Sequence, residues 1–336
     1  MDKKSSAGIK KRSGKFQTKL TSFTMNRSQA TLDRRAALRA IARETTAALP
    51  DILRQLPHIK ADISEKLTVD DVPVLDPADC PEFTLASDPT IRATHVKVFN
   101  EDSYDAAIRM AELLIEPTLT QSERNQRVAV INLASDKNPG GGWLNGAMAQ
   151  EEALCYRSSL ALSLHKSYYP WTPTTGLYTR DVVIVRSSMS AGHKLLVPQT
   201  PAVQLPVVSV ISVAAIRRPP IHKVFENGQY RRSVFKFPAD RNLTKKKMRL
   251  VLRLAARQKH ELLVLGAIGC GAFRNPPEEI VQCWFEVLNE VEFQGGWWRE
   301  IWFAVLDTKN EGNFKIFDRI LGGKDFGKVD PSKPSS

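Results

Sequence analysis

From residue 95 to residue 321 the chain alternates short runs rich in β-branched residues with stretches whose apolar side chains recur every three or four positions. Repeated switching between a period of two and a period of 3.6 is the pattern of strands joined by crossover helices, and it restricts the chain to an α/β architecture. Strands are predicted at 95–99, 128–134, 181–186, 207–214, 262–267 and 301–306. Helices are predicted behind Ser103, where Ala107, Met110, Ala111 and Leu114 form one face, over 150–164, from Thr244 with Met248, Val251, Leu252 and Ala255 inward, and over 314–321 up to Gly322. A further helix starts at Asn275 as cap, with Pro276 at its first position, Glu278 completing a capping box, and Ile280, Cys283, Trp284 and Val287 inward. Two connections, 189–206 and 217–241, lack periodicity and read as lids, binding loops or disordered segments.

At 336 residues, 42% hydrophobic and 25% charged, the chain suits one main core. No run approaches the roughly 18 apolar residues of a membrane span, so a soluble protein with no membrane partner is expected. The net charge of +12 is uneven: residues 1–40 hold eleven Lys/Arg against Asp2 and Asp33, net +9, and leave +3 for residues 41–336. Residues 1–28 have too few large apolar groups to offset the entropy of ordering and are expected to form a disordered basic tail, suited to a nuclear signal, a weak polyanion tether or plain solubilisation. Residues 31–49, rich in Ala, Leu and Arg and followed by Pro50, predict a helix; 66–92, with four prolines, predicts an irregular connection. The expected division is a tail at 1–28, a helical extension and connection at 29–92, the main domain at 93–323 and a C-terminal tail at 324–336. Cys80, Cys155, Cys270 and Cys283 show no CxxC spacing and no apolar stretch follows the N-terminal charges, so neither a zinc site nor a secretory signal is expected, and nucleus or cytoplasm fits.

The candidate chemistry lies in residues 132–160, NLASDKNPGGGWLNGAMAQEEALCYRSSL, between a buried strand and a helix, where open α/β sheets place their ligands. Gly140, Gly141 and Gly142 remove three successive Cβ atoms, so backbone N–H groups can approach a ligand and take positive φ. Gln150, Glu151 and Glu152 then open the helix, where the dipole stabilises carboxylates. Neighbouring helix positions point about 100° apart, so the two glutamates are expected not to flank one bond as a glycosidase pair does, and one of them is the candidate proton donor. A second glycine stretch, GAIGCGAFRNPP at 266–277, leaves a strand and enters a helix, an arrangement that forms an anion site. Neither GxGxxG nor a P-loop lysine is present.

The spacing of GGG, seven residues and QEE resembles the fingerprint of the poly(ADP-ribose) glycohydrolases, and NLAS…NPGGG…AQEE resembles its microbial branch; the likeness spans about residues 30–322 and includes IARET at 41–45. That resemblance implies a macrodomain-like mixed sheet sandwiched between helices, preceded by an extra N-terminal helical segment. It implies cleavage of the ribose–ribose O-glycosidic bond of poly(ADP-ribose), with release of ADP-ribose, no metal and no cofactor, action on ADP-ribosylated proteins, and a place in the DNA damage response. Glu152 would be the general acid and Glu151 would hold ribose hydroxyls. Gly140, Gly141 and Gly142 would line the distal ribose and phosphate, with Ser135 and Gln150 also binding substrate; Gly269, Cys270, Gly271, Ala272 and Phe273 would form the diphosphate loop, with Phe273 contacting the distal ribose; Asp102 stands where an adenine-side acid is placed, or caps a helix. Ile268 replaces a frequent Trp, and AAIRRP at 214–219 replaces a more usual AAPN. A monomer without sequence-specific nucleic-acid binding is expected.

The competing reading is a non-catalytic ADP-ribose reader of the same fold, which has no need of two carboxylates at this helix start. Hydrolysis of a single ADP-ribose from a side chain is a third class, not built on QEE. Ser163 and Lys166 match SxxK, a four-residue pattern with no companion motif here.

Overall fold

The computed structural model describes residues 14–114 and 127–329, with seven α-helices and eleven strands among them. Nine strands form one sheet in the order β1 (Glu65–Thr68), β5 (Thr175–Val183), β6 (Val207–Val213), β4 (Ala129–Leu133), β9 (Leu262–Leu265), β10 (Glu300–Ala304), β3 (Asp88–Phe99), β11 (Lys324–Val329), with β2 (Thr84–Leu85) also on β3. The five inner strands from β6 to β3 run parallel, and β1, β5, β11 and β2 pair antiparallel around them.

Strand alternation sorts the core into two layers. Ala129, Ile131, Ile211, Leu263, Leu265 and Phe303 face α5 (Pro238–Arg257), α6 (Pro277–Leu288) and α7 (Asn313–Leu321), whereas Val130, Val210, Val264 and Trp302 face α2 (Ser103–Leu114), α3 (Gln150–Arg157) and α1 (Gly14–Arg54). The mixed sheet between helical layers is the expected fold class. Among the described residues no helix is long and apolar enough to cross a membrane.

Several boundaries differ from those predicted. Helix α1 starts at Gly14, inside the segment expected to be disordered; residues 1–13 lie outside the described residues. It also runs through Pro50 to Arg54. An interior proline costs about 3 kcal/mol, but Leu49, Ile52 and Leu56 are buried against Val183, Val185 and Leu205, and two or three such side chains, each worth roughly 1.5–3 kcal/mol, outweigh it. The helix predicted over 150–164 breaks at Ser158, which is extended and bridges Ile184, leaving α4 at Leu160–Ser163. Asn275 does not cap α6: its amide donates to the carbonyls of Ile216 (2.7 Å) and Gly269 (3.2 Å), and the helix begins at Pro277 with Glu278 outside any capping box. The expected connection contributes β1 and β2, and the expected C-terminal tail begins with β11, whose Phe326 is buried against the core. The connection 217–241 contains a two-stranded antiparallel hairpin, β7 (Ile221–Glu226) and β8 (Gln229–Phe235), apart from the main sheet.

Candidate active site

Strand β4 lies inside the sheet between β6 and β9, so its carboxyl end is flanked by two neighbours and the chain must leave over the top of the sheet. Ser135 starts the exit loop, its Oγ accepting from the N–H groups of Lys137 and Asn138 (3.2 Å each). Gly140 and Gly141 have φ of +67° and +59°. A Cβ on Gly141 would lie 2.5 Å from Glu152 Oε1 and 3.0 Å from Glu151 Oε2, so this turn exists only without a side chain, and both carboxylates converge beneath it. Gly142 N–H donates to Glu152 Oε1 (2.9 Å). Although successive helix positions diverge, the glycine turn folds back over both side chains.

Each member of the acidic triplet has a separate attachment. Gln150 Oε1 accepts from Leu133 N–H (2.9 Å) and its Nε2 donates to Ile131 O (2.7 Å) and Ser103 Oγ (3.2 Å). Its amide therefore clamps α3 to the end of β4 and does not line the cavity. Glu151 is 3% exposed; its Oε2 accepts from Ser135 N–H (2.7 Å), and Asn132 Nδ2 lies 3.5 Å from Oε1. Burial, assisted by the neighbouring Glu152 charge, pushes the Glu151 carboxyl up to about 8. Glu152 Oε2 accepts from Ala149 N–H (2.8 Å), as an N3 carboxylate does at a helix start.

These groups line one cavity of about 670 Å³, a size suited to a nucleotide-sized ligand. Its wall includes Ser135, Gly141, Gly142, Glu151 and Glu152 on one side and Arg217, Ala272 and Phe273 on the other. The second glycine stretch thus reaches the cavity through Ala272 and Phe273. Gly269 (φ +77°) packs against Asn275, where a Cβ would collide, and Cys270 is a thiol whose pKa burial pushes up, unsuited to nucleophilic attack. Gly140, Cys270, Gly269 and Gly271 stand behind or beside the wall, not on it.

Asp102 is not brought to the cavity. Its Oδ1 accepts from the N–H groups of Tyr104 (2.8 Å) and Asp105 (3.3 Å) at the start of α2 and pairs with buried Arg157, so it is the cap, the second of the two roles its position allowed. Sequence reasoning missed Asn132, Arg217 and Trp143. Arg217 had a signal, the departure at AAIRRP; Asn132, fully buried in β4 with its Nδ2 on Ser212 Oγ (3.0 Å), had one as the first residue of the NLAS stretch. Among the described residues no group of three or more His, Cys, Asp or Glu could hold a metal ion.

A parallel-centred sheet between helical layers, with a ligand-sized cavity at its carboxyl edge and two carboxylates under a glycine turn, defines a macrodomain-like protein whose site bears the chemistry of a glycosidase. The family model described as the microbial-type poly(ADP-ribose) glycohydrolase catalytic domain matches residues 22–187, which hold the turn and the acidic pair. The poly(ADP-ribose) glycohydrolase from Thermomonospora curvata is similar in structure, with a TM-score of 0.61 and 23% identity over 84% of this chain and 99% of that one. The same enzyme bound to the inhibitor ADP-HPD gives 0.59 and 21% over the same shares. The Deinococcus radiodurans enzyme in complex with ADP-ribose gives 0.57 and 26%, covering 77% of this chain and 93% of that one. Comparison with curated protein sequences gives no significant match. In fold and in the residues of its site the chain resembles the microbial-type poly(ADP-ribose) glycohydrolases.

Proposed function

We propose that this protein hydrolyses poly(ADP-ribose) at its ribose–ribose O-glycosidic bonds, releasing ADP-ribose from the polymer on ADP-ribosylated proteins, in the nucleus or cytoplasm. The observation that carries this reading is the convergence of Glu151 and Glu152 on the Gly141 turn at the cavity wall. A reader module needs only donors for phosphate and ribose; a carboxyl 97% buried and held protonated near neutral pH costs stability and marks a reactive site.

In the mechanism proposed, the terminal ADP-ribose sits with its distal ribose beneath the glycine turn and its diphosphate towards Ala272 and Phe273. Glu152 protonates the leaving ribose oxygen as the C–O bond breaks, and an oxocarbenium-like charge develops on the distal ribose. The ionised Glu152 then takes a proton from the attacking water, which restores the acid and completes the new C–O bond. Glu151 holds the ribose hydroxyls. The raised pKa of Glu151 favours a second reading, in which Glu151 donates the proton and Glu152 orients the substrate.

Incubating the purified protein with radiolabelled polymer and separating the products tests the function. Release of monomeric ADP-ribose is expected; intact polymer retained on the protein would make it a reader.

A further inference from the structure

Residues 217–236 carry six Lys/Arg and one Glu, net +5, whereas the rest of residues 41–336 holds 31 Lys/Arg against 33 Asp/Glu, net −2. On the adjoining α5 four cations are matched: Arg241 pairs with Glu279 and Glu286, Lys245 with Glu286 and Glu290, Arg249 with Glu290 and Arg253 with Glu292, and Lys246 and Arg257 are exposed outside these pairs. On the hairpin the one matched cation among the described residues is Arg231, 3.1 Å from Glu226. Arg217, Arg218, Lys223, Arg232 and Lys236 are exposed and in no ion pair among the described residues. Such a run of unmatched like charge raises the local potential and favours a polyanion.

The run begins at the active site. Arg217 is part of the cavity wall, Arg218 N–H donates to Phe273 O (2.7 Å), and Lys236 N–H donates to Pro220 O (2.9 Å), so the root of the hairpin is fastened to the loop that carries Phe273. From that root β7 and β8 extend through the register Ile221 with Phe235, Lys223 with Ser233 and Val224 with Arg232, a reach of about 20 Å for six residues. Ser233 and Phe235 are buried on the inner side, so the alternate positions Arg232 and Lys236 stand on the outer face, while Lys223, opposite Ser233, is exposed at the margin of the other face.

We propose that the hairpin and the two arginines at its root form a track for the part of the polymer beyond the unit in the cavity. This inference rests on the hydrolase reading. Each further ADP-ribose unit repeats a doubly charged diphosphate, and a chain leaving the cavity past Arg217 meets one cation after another along the arm.

The test compares wild type with the triple variant Lys223→Gln, Arg232→Gln, Lys236→Gln, none of which lies on the cavity wall. The readout is the ratio of kcat/KM on long poly(ADP-ribose) to kcat/KM on the two-unit substrate, across a salt series. Each exposed charge contributes modestly and three are removed, so the ratio is expected to fall roughly tenfold at low salt, and the salt dependence on long polymer should flatten. An unchanged ratio and salt slope overturns the proposal. Tight binding of single-stranded DNA that the triple variant loses, with the polymer ratio unmoved, would assign the arm to nucleic acid instead and also overturns it. If wild type cleaves neither substrate, the hydrolase reading fails, while salt-sensitive retention of polymer that the variant loses would still support the track.

Discussion

The two glutamates are adjacent in sequence, yet their hydrogen bonds assign them different work: Glu151 answers Ser135 N–H at the strand end, Glu152 answers Gly142 N–H in the turn. Glu152→Gln keeps size and acceptor capacity but cannot donate a carboxylic proton. Turnover should fall about 10²–10⁴-fold with ADP-ribose affinity, measured by calorimetry, little changed. Near wild-type turnover would transfer the proton donor to Glu151. Glu151→Gln should harm both binding and rate, and it should also change stability in a pH-dependent way. A folded pKa of about 8 against an ordinary 4.5 means that the protonated carboxyl's contribution is full below pH 4.5 and is lost as pH rises through 8. The unfolding free energy of Glu151→Gln relative to wild type should therefore climb between pH 5 and 8, by an amount on the order of 2–5 kcal/mol at most, as read by denaturant unfolding; a flat difference would show that Glu151 is ionised throughout. Gly141→Val must hold φ near +59° with a branched side chain pressed on both carboxylates, so ADP-ribose binding should be lost, whereas Phe273→Ala should weaken it by removing one side of the wall. Unaltered affinity in Gly141→Val would reduce the glycine triplet to a turn.

Helix α1 is the element in which local and tertiary preference part most clearly. Residues 29–37 are exposed, the first close approach is of Gly146 to the Arg35 backbone and burial begins at Leu38, so deleting residues 1–28 should leave the thermal midpoint and turnover of short oligomers unchanged, to be checked by scanning calorimetry and product release. Beyond Pro50 the same helix is held by burial: Ile52→Ala should cost about 2–5 kcal/mol in denaturant unfolding, a loss a frayed helix end would not produce. Helix α3 is tied at its first residue by the Gln150 amide to Leu133 N–H and Ile131 O of β4 and at its last by Arg157 to Asp102 and Asp105. Those anchors fix the acidic pair relative to the glycine turn.

At the scale of the molecule, β11 covers one edge of the sheet, with Asp325 2.6 Å from His95 Nδ1 and Phe326 in the core. Truncation after Gly323 should lower the thermal midpoint by several degrees, since losing a buried phenylalanine alone costs about 3–5 kcal/mol; a wild-type midpoint would show the edge strand to be dispensable. The sequence by itself determined the α/β class, the inner strands, expected at 128–134, 207–214, 262–267 and 301–306 and formed within a few residues of those bounds, and the glycine turn with its acidic pair. These are legible because alternation, helical spacing and runs of glycine are local patterns that each report one physical requirement. Tertiary structure alone decided the hairpin, β11, the passage of α1 through Pro50, the diversion of Gln150, Asp102 and Asn275 to structural bonds, and the meeting of both carboxylates under Gly141. Each depends on what a remote segment presents: an open sheet edge, a buried apolar face, or a backbone group left without a partner, none of which is encoded within a few residues of the site it governs.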